Sequence, residues 1–409
     1  MRNALLAAML SIIGVTAAAT ATPPPIVLMV VLDGARANGS GCLDVGPYVA
    51  PTVQRLCNGG DGGIAFARAY AQSSSGAASL ATLMTGLLPS AHGMDAGSDP
   101  MPGDRPTIAS ALAAAGYVAA AFTSEAHVME RGQLRGFDES MPLSMSPDEV
   151  PGGYRFDPAE RTALSLLGWI NDHRRDLATK GALLLMHMTP GRFGYFPPTE
   201  YMRRFAPLED FERIQVVERK ANEFEFQFEP NSVLKLVAAA DAGISLADGA
   251  LALVLEKLRA PELASRLWIV LLSTYGEARM EHGLVGHGIT LYDESIHVPL
   301  VIVPPLGRKG GTRLDQVVQL ADVMPTILDI AGVAVPADLP GRSLLPAVEG
   351  SRLAERAAVS ELITPNPLRV HVRTVVDSAL MKTFERQDGT GERYDLRTDS
   401  AERKNLGRP

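Results

Sequence analysis

Residues 267–304 read LWIVLLSTYGEARMEHGLVGHGITLYDESIHVPLVIVP, and this stretch decides the fold. Its first six residues are apolar and bounded by Ser-Thr and Gly. An unbroken run of that length predicts a strand buried on both faces, as in a parallel sheet. A polar, glycine-punctuated loop follows, then a second apolar run over 298–303. In open α/β sheets chemistry sits just beyond the carboxyl ends of such strands, so Ser273-Thr274-Tyr275-Gly276-Glu277 is the first place to expect a site.

Working outward, residues 26–32 form another uninterrupted apolar run, and it ends in Asp33-Gly34-Ala35-Arg36. A buried strand delivering an Asp at its carboxyl end is a common way to place a metal ligand. Residues 69–86, AYAQSSSGAASLATLMTG, lead small polar residues into a helix, whose first turn offers free backbone N–H groups to an anion. Residues 106–122 read as helix, glycine stop and strand. An amphipathic helix is expected over 162–174, a buried strand over 182–186 and one long helix over 233–258. The charged stretch 205–230 reads as an irregular surface excursion.

Composition narrows the class. The chain has 409 residues, 46% hydrophobic and 21% charged, with a formal net charge of −8. That length suits one large α/β domain with a smaller appendage. The acidic balance, with no Lys/Arg cluster, excludes a nucleic-acid partner. Residues 1–21 pair Arg2 with an apolar core and small residues before Thr22-Pro23, the pattern of a secretory signal. Its apolar core is shorter than the ~20 residues a membrane span needs. The expectation is an exported protein, periplasmic or extracellular, with no transmembrane anchor in the mature chain. Cys42 and Cys57 are the two cysteines; a disulfide and a pair of buried thiols are both open.

With these segments in hand, the chain resembles the sulfatases of the alkaline phosphatase superfamily. Gly276-Glu277, Glu281-His282-Gly283, Gly286-His287-Gly288 and most of 291–300 match the family's S-D-H-G-E, E-H-G, G-H-G and L-Y-E-E-S-I-R-V-P-L. Asp33 with Arg36, then Gly41-Cys42, match D-x-x-R and G-C-Y-G. Further matches are Gly136-Phe137-Asp138, Tyr195-Phe196-Pro197-Pro198, Asp322 to Leu328, Gly341 to Leu345, and the tail from Arg393-Tyr394-Asp395-Leu396 to Asn405-Leu406. The resemblance implies a three-layer α/β sandwich: a large, mostly parallel sheet flanked by helices over residues 22–350, and a small C-terminal subdomain over 351–409.

The departures fall on the reactive centre. The family's C-x-P-S-R motif supplies the formylglycine nucleophile; in register with Thr85-Gly86 its Cys falls on Gly76 and its Arg on Leu80. Neither cysteine, and no serine, is followed by x-Pro-x-Arg, so a formylglycine enzyme is excluded. Thr274 and Tyr275 replace a metal-binding Asp and His. Gly191 replaces the substrate His of H-x-x-D-P-H, and Ser124-Glu125 stand where many sulfatases place a Lys or Asn. Asp33 remains as a metal-ligand candidate, yet one carboxylate, a hydroxyl and a phenol make a poor set for a hard cation.

Two functional readings follow. The preferred one is an exported, catalytically degenerate pseudo-sulfatase that needs no cofactor and keeps its pocket for an anionic small molecule or glycan. The alternative is a divergent hydrolase of sulfate or phosphate esters with a rebuilt site: Ser75 as nucleophile, His287 as base, and Asp33, Glu125 and Glu277 around a divalent cation of calcium or magnesium type. Each residue also has a structural use: Asp33 capping a turn, His287 packing, Ser79 at the helix start, Glu277 as a solvated loop carboxylate.

Overall fold

The computed structural model describes residues 23–46, 48–94, 100–142, 158–192, 197–206, 216–219, 226–228, 230–306, 308, 310–364 and 371–407. The expected signal, residues 1–21, and the Tyr195-Phe196 part of one motif lie outside them.

Strand β1 (Ile26–Leu32) is buried along its whole length, as an apolar run without alternation requires. The other strands are β2 (Ile64–Tyr70), β3 (Val118–Thr123), β4 (Glu139–Pro142), β5 (Ala182–Met188), β6 (Val216–Arg219), β7 (Phe226–Phe228), β8 (Leu267–Leu272), β9 (Ala278–Arg279), β10 (Val285–Gly286), β11 (Leu300–Val303), β12 (Arg313–Gln319), β13 (Ala358–Ile363), β14 (His371–Val376), β15 (Met381–Arg386) and β16 (Gly391–Asp395). One eight-stranded sheet runs β12-β2-β11-β8-β1-β5-β3-β4. It is parallel apart from β11, which lies antiparallel to β8 and β2. Pro299 confines that strand to four residues, shorter than the 298–303 expected, because proline has no N–H for the ladder.

β1 sits centrally, between β5 and β8, so its side chains alternate between two cores. Val27, Met29 and Val31 face one apolar layer together with Leu83, Met84 and Ile327. Ile26, Leu28 and Val30 face the other, with Val53, Leu166 and Leu251. The first layer is covered by helix α2 (Gly76–Thr85) and the helices Ile108–Ala114 and Val323–Ile330; the second by α1 (Pro51–Cys57) and the helices Pro158–Asp172 and Pro230–Leu258. This is the expected three-layer α/β sandwich.

Helix Pro230–Leu258 begins three residues before the expected start. Over Ser232–Leu258 it is long and apolar enough to cross a membrane, but 67% of its apolar window is buried within the protein, where it packs on the sheet as a core helix. The 205–230 excursion is not wholly irregular: β6 and β7 pair antiparallel within it. β13 to β16 form a separate antiparallel sheet. Ala358, Leu362, Val376 and Phe384 from that sheet join the first apolar layer, so it shares a core with the main sheet. Cys42 and Cys57 are joined by a disulfide with a Cα–Cα distance of 5.7 Å.

Candidate functional site

β1, β5 and β8 end side by side, and their last residues build the site. Asp33 follows β1, His187 lies near the end of β5, and Ser273-Thr274-Tyr275 follow β8. The Asp33 carboxylate is 4% exposed and held on both oxygens. Thr274 donates to Oδ1 twice, from its backbone N–H at 3.0 Å and from its hydroxyl at 2.6 Å. His187 Nε2 lies 2.9 Å from Oδ2. A carboxylate can only accept, so Nε2 carries the hydrogen. His187 Nδ1 then faces the Thr123 hydroxyl at 2.9 Å, and that oxygen accepts from the Glu125 N–H at 3.0 Å. The result is a closed, buried chain of donors and acceptors from β3 to β8, and Asp33 does more than cap its turn.

The backbone beside Asp33 is closed as well. Gly34 has φ +83, and a Cβ placed there would stand 2.5 Å from the carbonyl carbon of Gly191. The Gly191 N–H donates to the Asp33 carbonyl at 3.2 Å. The loop after β5 therefore lies directly against the turn after β1. Glycine at 34 and glycine at 191 are thus a single steric fit.

Gly76 opens α2, preceded by Ser75 as N-cap with no side-chain capping bond. A Cβ on Gly76 would fall 2.7 Å from Tyr275 Cε1. Tyr275 is 2% exposed, and burial, with the negative charges of Asp33 and Glu277 nearby, pushes its phenol well above the usual range. It is a neutral ring. His287 stacks on it with centroids 4.1 Å apart, and His287 Nδ1 is 2.7 Å from Glu277 Oε1. Glu277 is buried, against the reading of a solvated carboxylate. Ser79 is likewise fully buried within α2.

Together these groups enclose a cavity of about 220 Å³ that includes Ser75, Gly76, Leu80, Glu125, Arg192 and His287 in its lining. Arg131 and Gln133 also line it, two residues the sequence reading did not single out. They belong to no recognisable motif; only their position after β3 could have suggested them. Arg192 donates to Glu125 Oε1 at 2.7 Å, and Gln133 Nε2 donates to the Ala77 carbonyl at 2.8 Å. That bond fixes the amide orientation and leaves Gln133 Oε1 buried without a partner.

The structure divides the carboxylates considered for a cation. Asp33 is taken by Thr274 and His187, Glu125 by Arg192, and Glu277 by His287. Among the described residues no group of three or more His, Cys, Asp or Glu is arranged to hold a metal. This donor set does not fit the divalent cation of the sulfatase fold. A larger cleft of about 1240 Å³ opens beside edge strand β12, where Arg308 pairs with Glu349, Arg313 with Asp315, Arg352 with Glu355 and Arg356 with Asp322, and it includes none of the residues that follow β1, β5 and β8. The convergent polar groups are in the smaller cavity.

A doubly covered, mostly parallel sheet with a polar pocket at its strand ends defines an α/β protein with a candidate ligand site. The Sulfatase family model matches residues 25–333, and the chain belongs to that family. A second model, N-sulphoglucosamine sulphohydrolase, C-terminal, matches residues 280–408. Mouse arylsulfatase K is 38% identical over 109 residues, which are 27% of this chain and 19% of the relative. The Delta 4,5-hexuronate-2-O-sulfatase of Bacteroides thetaiotaomicron is 29% identical over 160 residues, 38% of this chain and 33% of the relative. The matched segments thus span a third or less of either relative. The phosphonate monoester hydrolase of Agrobacterium radiobacter has the same fold, with a TM-score of 0.75, 19% identity, and coverage of 93% of this chain and 91% of that one.

Proposed function

We propose that this chain is an exported member of the sulfatase family that has lost the family's metal- and formylglycine-dependent ester hydrolysis and keeps the pocket to bind an anionic small molecule or glycan. The observation that carries the reading is the state of Asp33. Thr274 fills Oδ1 with two donated bonds, and His187 takes one side of Oδ2. The remaining carboxylate of the metal site thus keeps a single lone-pair direction, a poor hold for a hard cation that wants about six or more oxygen ligands. Without a Lewis acid, and with Gly76 where a nucleophile would stand, sulfate or phosphate transfer lacks its main sources of transition-state stabilisation. The name of the Bacteroides relative specifies a sulfated uronate. Arg131 and Arg192 line the cavity, and an anionic sugar would compete with Glu125 for the Arg192 guanidinium.

Elemental analysis of the purified protein, together with a panel of aryl sulfate, phosphate and phosphonate esters, tests the reading. No stoichiometric divalent metal and no turnover are expected. Turnover that disappears in Asp33→Ala overturns it.

A further inference from the structure

We infer that Ser75, His287 and Glu277 form a metal-independent nucleophilic site for small carboxylic esters that carry a negative charge. The inference rests on the pocket being free of the family's metal chemistry, and it assigns Glu277 to His287 in place of a cation.

Ser75 stands at a strand–turn–helix junction, between β2 and α2, where a serine is presented at the start of a helix. Its side chain makes no capping bond, and it lines the cavity. His287 lies on the loop across from it: a Cβ on the next residue, Gly288, would stand 4.0 Å from Ser75 Cα. Glu277 holds His287 Nδ1 at 2.7 Å, and the Tyr275 ring fixes the imidazole plane. With Nδ1 so engaged, Nε2 is the nitrogen left for proton transfer. A base oriented by a buried carboxylate, in the same cavity as a serine hydroxyl, supplies the parts that activate serine. No hydrogen bond joins the Ser75 hydroxyl to His287 in this state. Such bonds often tighten only when substrate binds.

The remaining parts are in place around it. The first N–H groups of α2, at Gly76 and Ala77, border the cavity and have no side-chain cap, so they serve as donors for a developing oxyanion. Gln133 Oε1, buried and unpartnered, accepts from a hydroxyl or amide of the substrate. Arg131 lines the cavity, and Arg192, held by Glu125 at 2.7 Å, is the cation that a substrate carboxylate or sulfate would engage by displacing Glu125. Carbon is the electrophile that suits the set, because acyl transfer needs a base and oxyanion donors but no metal.

In the reaction, Ser75 Oγ bonds to the carbonyl carbon as its proton passes to His287 Nε2, and the carbonyl electron pair moves onto the oxygen. Collapse of the tetrahedral species breaks the ester C–O bond, and the leaving alkoxide takes the proton from Nε2. Water then adds to the acyl carbon, giving up its proton to Nε2. The carboxylic acid departs, and Ser75 is restored by that proton.

The test uses the full chain in EDTA with an alkyl fluorophosphonate, located by peptide mass mapping, and with p-nitrophenyl succinate as a charged ester. The expected result is about one equivalent of label on the Ser75 peptide and none in Ser75→Ala. His287→Gln should slow labelling and ester turnover by ~100-fold or more, and Glu277→Gln by ~10-fold or more, with unchanged circular dichroism. A folded wild-type protein that leaves Ser75 unlabelled overturns the inference, as does labelling of His287→Gln at the wild-type rate. That failure is distinct from failure of the pseudo-sulfatase reading, which metal-dependent turnover of aryl sulfate would show.

Discussion

The ring of Tyr275 occupies the space that a side chain on residue 76 would need: a Cβ there would stand 2.7 Å from Tyr275 Cε1. Glycine at the head of α2 and tyrosine after β8 are therefore one packing arrangement.

Gly76→Ala should consequently destabilise the protein by ~1–3 kcal/mol through overpacking, despite alanine's better helix propensity. In the Tyr275→Ala background the same change should cost less than half as much. Urea denaturation of the four proteins in a double-mutant cycle measures the coupling. Equal costs in both backgrounds would show that the ring moves aside freely.

Thr274→Val removes the 2.6 Å hydroxyl bond to Asp33 while keeping the side-chain shape. Leaving that buried oxygen with only the backbone N–H should cost ~1–3 kcal/mol. Thr274→Ser should recover most of it. A valine variant as stable as wild type would mean that water replaces the hydroxyl.

Burial raises the Glu402 carboxyl to about 8, in a site shared with Lys382 and Asp293. A carboxyl raised in the folded state gives stability that is full below its unfolded value and is lost as pH climbs through the folded one. The protein should therefore lose stability between about pH 4.5 and 8 from this group, and Glu402→Gln should flatten that limb. His92 runs the other way. Burial lowers it to about 4, so its stability is present above the ordinary histidine value and lost as pH falls from about 6.5 to 4. Thermal melts of wild type, Glu402→Gln and His92→Gln across pH 4 to 9 separate the two limbs.

Reducing the Cys42–Cys57 disulfide, which spans 15 residues of sequence, should lower stability by ~3 kcal/mol through the freed unfolded chain. Cys42→Ser/Cys57→Ser should melt earlier by a similar free energy. Because the bridge ties the loop after β1 to α1, hydrogen exchange should rise over residues 37–46 and spare β5.

Much of the fold was legible because its signals are local. The runs 26–32 and 267–272 became β1 and β8 residue for residue, since an unbroken apolar stretch between turn residues has one comfortable place, inside a parallel sheet. A helix led by small polar residues was readable within 69–86, but it starts at Gly76, three residues before the Ser79 suggested for its start. The β6–β7 pair was missed although Phe224, Phe226 and Phe228 alternate with polar residues, because the short period-2 signal sits inside a charged stretch that reads as irregular. At the site, the residues at the strand ends could be named, but their partners could not. Glu277 read as solvated and is buried against His287, while Arg131 and Gln133 enter the cavity without belonging to any motif.

By itself, then, the sequence determined five of the sheet's eight strands (β1, β3, β5, β8 and β11), the order of the family's motifs and the absence of a formylglycine motif, because each is written in neighbouring residues. Only the tertiary structure decided that Asp33 is spoken for by Thr274 and His187, that Gly34 abuts Gly191, and that Glu277 holds His287 in the lining of the cavity. Those pairings join positions up to 241 residues apart. A carboxylate's role depends on which donors the fold brings within about 3 Å of it.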